Sequence, residues 1–155
     1  ISLAYHCQQV EIDALDISEE ALCVAKENAK NHHLSHRISF FQSDMFAAIP
    51  EEKKYHFIIS NPPYVPEQVI PSLSREVQAE PRIALNGGKD GLDIIRALIT
   101  QSRKYLIAGG CLLFEIGYQQ KDAVLPLLKK SGYTQLFIRE DLSGIPRVAG
   151  GFLLS

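Results

Sequence analysis

Tyr55-His56-Phe57-Ile58-Ile59-Ser60-Asn61-Pro62-Pro63-Tyr64 is the stretch on which the fold turns. Phe57-Ile58-Ile59 is short and uniformly apolar, the pattern of a strand buried on both faces of a parallel sheet. It stops at two prolines, which continue neither a ladder nor a helix. Upstream, Glu11 to Ile17 alternates apolar and acidic residues and reads as a strand with Asp16 at its carboxyl end. A helix follows. Ser18 is placed to cap it, Glu19 and Glu20 suit the positive end of its dipole, and Leu22, Ala25 and Ala29 recur at helical spacing. Lys30, His32 and His33 suit its negative end. Ile38 to Phe41 is a second β-rich run, followed by Gln42-Ser43-Asp44, and Glu51-Glu52-Lys53-Lys54 is a solvated connection.

Downstream, residues 65–90 hold prolines, charges and the turn signals Asn86-Gly87-Gly88 and Asp90-Gly91, which predict a long irregular connection of the kind that usually has work to do. The stripe Leu92, Ile95, Ile99 and Leu106 predicts a helix closed by Gly109-Gly110. Cys111 to Ile116 reads as the next buried strand. Gln119 to Ser131 reads as a helix ending at Gly132, with Pro126 predicting a kink or a later start. Gln135 to Ile138 and Arg147 to Leu154 are the last two strands, joined through Gly144-Ile145-Pro146. Strands alternating with helices imply an open α/β sheet, Rossmann-like, with helices on both faces and its ligand crevice beyond the strand carboxyl ends. Asp16, Asp44, Asn61 and Glu115 all fall there.

The 155 residues, 46% hydrophobic and 22% charged, fit one globular domain and exclude disorder. Sixteen basic against eighteen acidic residues leave a net charge of −2, so no overall positive field is available to hold nucleic acid. Runs such as Cys111-Leu112-Leu113-Phe114 fall far short of the roughly 20 residues of a membrane helix. Cys7, Cys23 and Cys111 lack disulfide or metal spacing and read as reduced thiols of a cytoplasmic protein. His32, His33 and His36 have no acidic or thiol partner spaced with them, so they read as helix-end solvation and no metal site is expected.

Asn61-Pro62-Pro63-Tyr64 fits one chemical task better than a plain turn. An amide or arylamine nitrogen has its lone pair delocalised, and attacks an electrophile poorly unless its N–H bonds and plane are held. The Asn61 side-chain oxygen can accept one N–H, and the Pro62 carbonyl the other if the proline rings keep it out of a helix ladder. Tyr64 offers a flat surface for the plane. The lone pair is then free for an incoming methyl group. Asp16 suits a carboxylate accepting both hydroxyls of an adenosine ribose, whether of a dinucleotide or of S-adenosylmethionine, and Asp44 suits an adenine amino hydrogen or a turn.

Asn61-Pro62-Pro63-Tyr64-Val65, Glu76-Val77, Glu80-Pro81, Ala84-Leu85, Gly87-Gly88 and Asp90-Gly91-Leu92 together resemble the release-factor glutamine methyltransferases. The likeness continues through Gly109-Gly110, Glu115-Ile116-Gly117, Asp141-Leu142 and Arg147-Val148. The resemblance implies a class I methyltransferase fold that uses S-adenosylmethionine to methylate a glutamine side-chain amide in a peptide chain release factor. Carried over, Asp16 would hold the ribose and Asp44 would sit by the adenine. Asn61 would touch both cofactor and amide, Pro62 would grip the amide with it, and Pro63, Tyr64 and Glu80 would line the acceptor cleft. Glu115 would support that cleft, and no general base is named.

The chain opens at Ile1 and departs from the family in lacking a first sheet strand, a Gly-rich loop and an amino-terminal helical domain. It therefore reads as the carboxyl-terminal catalytic domain, residues 1–155, truncated at its amino end. The strand ending at Asp16 is then expected to face a gap where the strand ending at Ser60 should be joined through the missing one. Weak cofactor binding and poor stability are expected of such a fragment. Two alternatives stand beside this reading: amino-methylation of adenine or guanine in nucleic acid, where the same motif would grip a flipped base, and a binding module without catalysis.

Overall fold

A computed structural model describes residues 1–154. The chain divides into two compact units, Ile1–Pro50 and the remainder from Glu51. Among the described residues, the strands form a two-stranded sheet in the first unit and a four-stranded sheet in the second, with no ladder between them.

In the first unit, α1 (Ser2–His6) precedes β1 (Ile12–Asp16), α2 (Glu19–Asn31) and β2 (Ile38–Gln42). β1 and β2 are parallel, with Asp16 opposite Gln42. Ser18 caps α2 as expected, its Oγ accepting the Ala21 N–H at 3.1 Å. At the other end His33 adopts φ 57° and Leu34 N–H reaches the Ala29 carbonyl at 2.8 Å. The histidines thus close a helix. Ala4, Ala29, Leu34 and Ile38 form the core, with Ile12, Ala14 and Phe40 packed against it.

In the second unit, β3 (Tyr55–Ser60) leads into a segment that is not the irregular connection expected. It contains a 3-10 turn at Ile70–Ser72 and two short helices, α3 (Arg75–Gln78) and α4 (Arg82–Leu85). It also folds back on itself, since Val65 bridges Asn86, with Val65 N–H to Leu85 O and Gly87 N–H to Val65 O both at 2.9 Å. Next come α5 (Asp93–Tyr105), β4 (Leu106–Glu115), α6 (Lys121–Lys130), β5 (Tyr133–Glu140) and β6 (Pro146–Leu153). The sheet order is β3-β4-β6-β5, with β3 and β4 parallel and β6 antiparallel to both its neighbours. Ile95, Ile99, Leu112, Phe114, Ile116, Val124 and Leu128 form a fully buried core.

Three boundaries and one burial pattern depart from the sequence reading. α5 stops at Tyr105, and Gly109-Gly110 lie inside β4 rather than capping the helix. Leu106 already pairs with Tyr55, and the register shifts before Phe57 meets Cys111, so the glycines accommodate an irregularity in the ladder. α6 begins at Lys121 and carries exposed Pro126 within it. β5 starts at Tyr133, two residues before the run expected. Phe57 and Ile59 are 62% and 56% exposed, not buried on both faces. β3 is an edge strand of its sheet, and only Ile58 points into the core.

Candidate functional site

The residues singled out by sequence fall in two groups, one in each unit. In the first unit, Asp16 ends β1 and Asp44 lies two residues past the end of the adjacent parallel β2, and Ser43 N–H donates to the Asp16 carbonyl at 2.9 Å. Both side chains are exposed. The Asp16 carboxylate accepts the Ser18 N–H at 2.9 Å through Oδ1, which fixes its direction. It therefore helps start the helix as well as presenting a carboxylate at the sheet edge. Gln42 reaches across to the Ile17 carbonyl at 3.2 Å and ties the two strand ends together.

In the second unit, Asn61-Pro62-Pro63-Tyr64 leaves the end of β3, whose last residue, Ser60, is opposite Phe114 of β4. Asn61 is exposed, so it is not aimed into the interior, while Pro62 is buried and Pro63 and Tyr64 are half-buried. The segment is neither helix nor strand, and among the described residues no hydrogen bond ends on the Pro62 carbonyl. Parallel pairing brings Glu115, at the end of β4, beside this loop. The Tyr64 hydroxyl donates to Glu115 Oε1 at 2.8 Å. Burial together with this carboxylate pushes the phenol up to about 12, against the opposing charge of Arg147 and with a smaller contribution from Glu80. Glu80 is exposed, and it stands close enough for its charge to be felt at Tyr64. Arg147 is held by Asp141, with Nε to Oδ2 at 3.2 Å.

One residue of this loop cluster has no sequence signal. Gln120 donates from Nε2 to the carbonyls of Tyr64 and Gly91, each at 3.0 Å, and accepts the Gly117 N–H at 2.8 Å. A polar residue just before a helix is too common to stand out. The glycine it touches was a visible turn signal: Gly91 has φ +77°, and a Cβ there would lie 2.4 Å from the Tyr64 carbonyl oxygen. Among the described residues no cluster of three or more metal-binding side chains occurs, and no helix is long and apolar enough to cross a membrane.

Parallel strands feeding helices, a last strand inserted antiparallel and carboxylates at the strand ends define a class I methyltransferase fold. A methyltransferase from Pyrococcus furiosus superposes with a TM-score of 0.74 at 16% identity, covering 99% of this chain and 68% of that one. The ribosomal protein L11 methylase of Lactobacillus delbrueckii gives 0.62 at 19% identity, over 92% and 58%. Residues 1–88 match the family model described as methyltransferase small domain, and the chain belongs to that family.

Among curated proteins, the release factor glutamine methyltransferase of Coxiella burnetii is 38% identical over 88% of this chain and 48% of its own length. That of Clostridium botulinum is 39% identical over 96% and 53%. The ribosomal protein uL3 glutamine methyltransferase of Bradyrhizobium diazoefficiens is 40% identical over 76% and 36%. The chain spans about half the length of the release factor methyltransferases it matches.

Proposed function

We propose that this protein transfers a methyl group from S-adenosylmethionine to the side-chain amide nitrogen of a glutamine in a peptide chain release factor, in the cytoplasm. The observation that carries the reading is the Asn61–Tyr64 loop itself, with an exposed Asn61, a Pro62 carbonyl outside any ladder and a Tyr64 ring tethered to Glu115. An amide NH2 needs two acceptors and a flat surface, and this loop offers both kinds of group. The two relatives named for release factor glutamine support the choice of acceptor.

The exposed carboxylates of Asp16 and Asp44 suit S-adenosylmethionine, because one can accept a ribose diol and the other an adenine amino hydrogen. When bound, the cofactor supplies a methyl carbon activated by a sulfonium. Everything else falls to the protein. Asn61 and Pro62 orient the glutamine amide, Pro63 and Tyr64 wall its slot, Glu115 keeps the Tyr64 ring in place, and Glu80 borders the cleft. A glutamine nitrogen held in this way would present its lone pair to that methyl carbon. The amide then releases a proton to water, so no side chain is required as base.

The relative named for ribosomal protein uL3 favours a second acceptor, a glutamine of a ribosomal protein. The test is mass spectrometry of release factor, ribosomal protein and RNA after incubation with the complete protein and isotopically labelled cofactor. A methyl group on a release factor glutamine is the expected result. Label confined to ribosomal protein selects the second acceptor, and label confined to RNA or no label overturns the proposal.

A further inference from the structure

Gln120 stands between three loops. Its amide spends both N–H donors on the carbonyls of Tyr64 and Gly91, and its oxygen takes the Gly117 N–H, so one side chain joins the segment after β3, the segment before α5 and the segment after β4. The backbone answers it, since Gln120 N–H donates to the Gly117 carbonyl at 3.0 Å. The surroundings leave no slack. A Cβ on Gly117 would lie 3.1 Å from Gln120 Oε1 and 3.3 Å from the Tyr64 ring, and one on Gly91 would lie 2.8 Å from Gln120 Nε2. Two glycines therefore make room for the same amide.

No element of regular structure holds Tyr64 at this end of β3. Its ring is fixed by Glu115 through the hydroxyl and its backbone by Gln120 through the carbonyl. That carbonyl belongs to the Tyr64–Val65 peptide unit, whose N–H bonds the Leu85 carbonyl at 2.9 Å, so Gln120 and Leu85 together anchor the chain two residues after Pro62. We propose that Gln120 is a positioning residue that sets the geometry of the Asn61–Tyr64 loop for transfer, without touching the acceptor. The inference rests on the acceptor role given to that loop above. Its physical basis is that a misplacement of about 1 Å in a preorganised site costs on the order of 10² in rate.

The test compares the complete protein with Gln120→Met, which keeps the side-chain volume without the hydrogen bonds, and Gln120→Glu, which keeps the acceptor for Gly117 but sets a carboxylate oxygen against two carbonyls. Three readouts are taken: kcat for glutamine methylation, S-adenosylmethionine affinity by calorimetry, and amide exchange at Val65, Glu67 and Asp93. These N–H groups bond Leu85, Gly88 and Gly87, so they report the loop junction directly. The expected result is a kcat reduced roughly ten- to 10²-fold in Gln120→Met and further in Gln120→Glu, faster exchange at those amides, and unchanged cofactor affinity. Unchanged exchange overturns the inference, as does faster exchange with wild-type kcat, or a kcat loss matched by lost cofactor binding. If the wild type methylates no glutamine, the acceptor reading falls. The exchange rates then still decide whether Gln120 holds the junction.

Discussion

Tyr64 holds a proton that its surroundings will not easily release. Burial and the Glu115 carboxylate favour the neutral phenol and push it up to about 12 from an ordinary 10.0. Because the folded state binds this proton more tightly than the unfolded chain, the associated stability is complete below about pH 10 and is lost as pH rises through about 12. The phenolate absorbance of wild type minus Tyr64→Phe is therefore expected to titrate near the upper value. A difference spectrum centred near the ordinary value means that the bond to Glu115 is not held in solution. At Asn61 the expectation concerns rate, since its side-chain oxygen is the acceptor proposed for one amide N–H. Asn61→Ala in the complete protein should lower kcat by on the order of 10² to 10³, the range for losing one preorganised polar contact. Single-turnover kinetics at saturating cofactor would measure this, and wild-type turnover would remove Asn61 from the mechanism.

Among the elements, α1 is too short to stand alone, and a distant guanidinium holds it. Arg37 donates to the carbonyls of Ala4 at 2.7 Å, Cys7 at 2.5 Å and Val10 at 2.6 Å, gathering the end of α1 and the turn into β1. Arg37→Met keeps the aliphatic stem and loses all three bonds. It should cost about 1.5–3 kcal/mol, the net contribution of hydrogen bonds to a charged group, with the urea midpoint as the measure. Gly91 is the corresponding point in the second unit. With φ +77° and a carbonyl in the way of any Cβ, Gly91→Ala should destabilise by about 1–3 kcal/mol through backbone strain alone, before the crowding of Gln120 is counted. Its urea midpoint should fall, and an unchanged midpoint would show that the loop relaxes freely around the methyl.

Across the whole molecule, the two units differ in what they have to keep them folded. The first rests on a two-stranded parallel sheet and a core of small and medium side chains, whereas the second has four hydrogen-bonded strands with Phe114, Leu112 and Ile95 fully enclosed. A two-stranded sheet is marginal in water without further cover. Native-state hydrogen exchange of this 155-residue chain should find the β1 and β2 amides opening at lower free energy than those of β4 and β6. Equal protection in the two units would contradict this reading of their cores.

Element type was legible from pattern wherever side chains alternate or recur at a local period. The strand to Asp16, the Ser18 cap and the Asn61–Tyr64 bend all follow from neighbours in the chain, and so does the placing of Asp16, Asp44, Asn61 and Glu115 at strand ends. The end of α5 was not legible, because a double glycine reads equally as a helix stop or a strand irregularity, and the pairing of Tyr55 with Leu106 decides between them. Nor was the exposure of Phe57 and Ile59, which share the face of β3 opposite Ile58, because the cover of a sheet face comes from elements distant in the chain. Local sequence by itself determined which groups this protein can offer to a planar nitrogen, since that chemistry belongs to adjacent residues. Only the tertiary structure decided what steadies them: Glu115 and Gln120 lie 51 and 56 residues beyond Tyr64, and hydrogen bonds over such separations are set by strand pairing and loop closure, which no local period records.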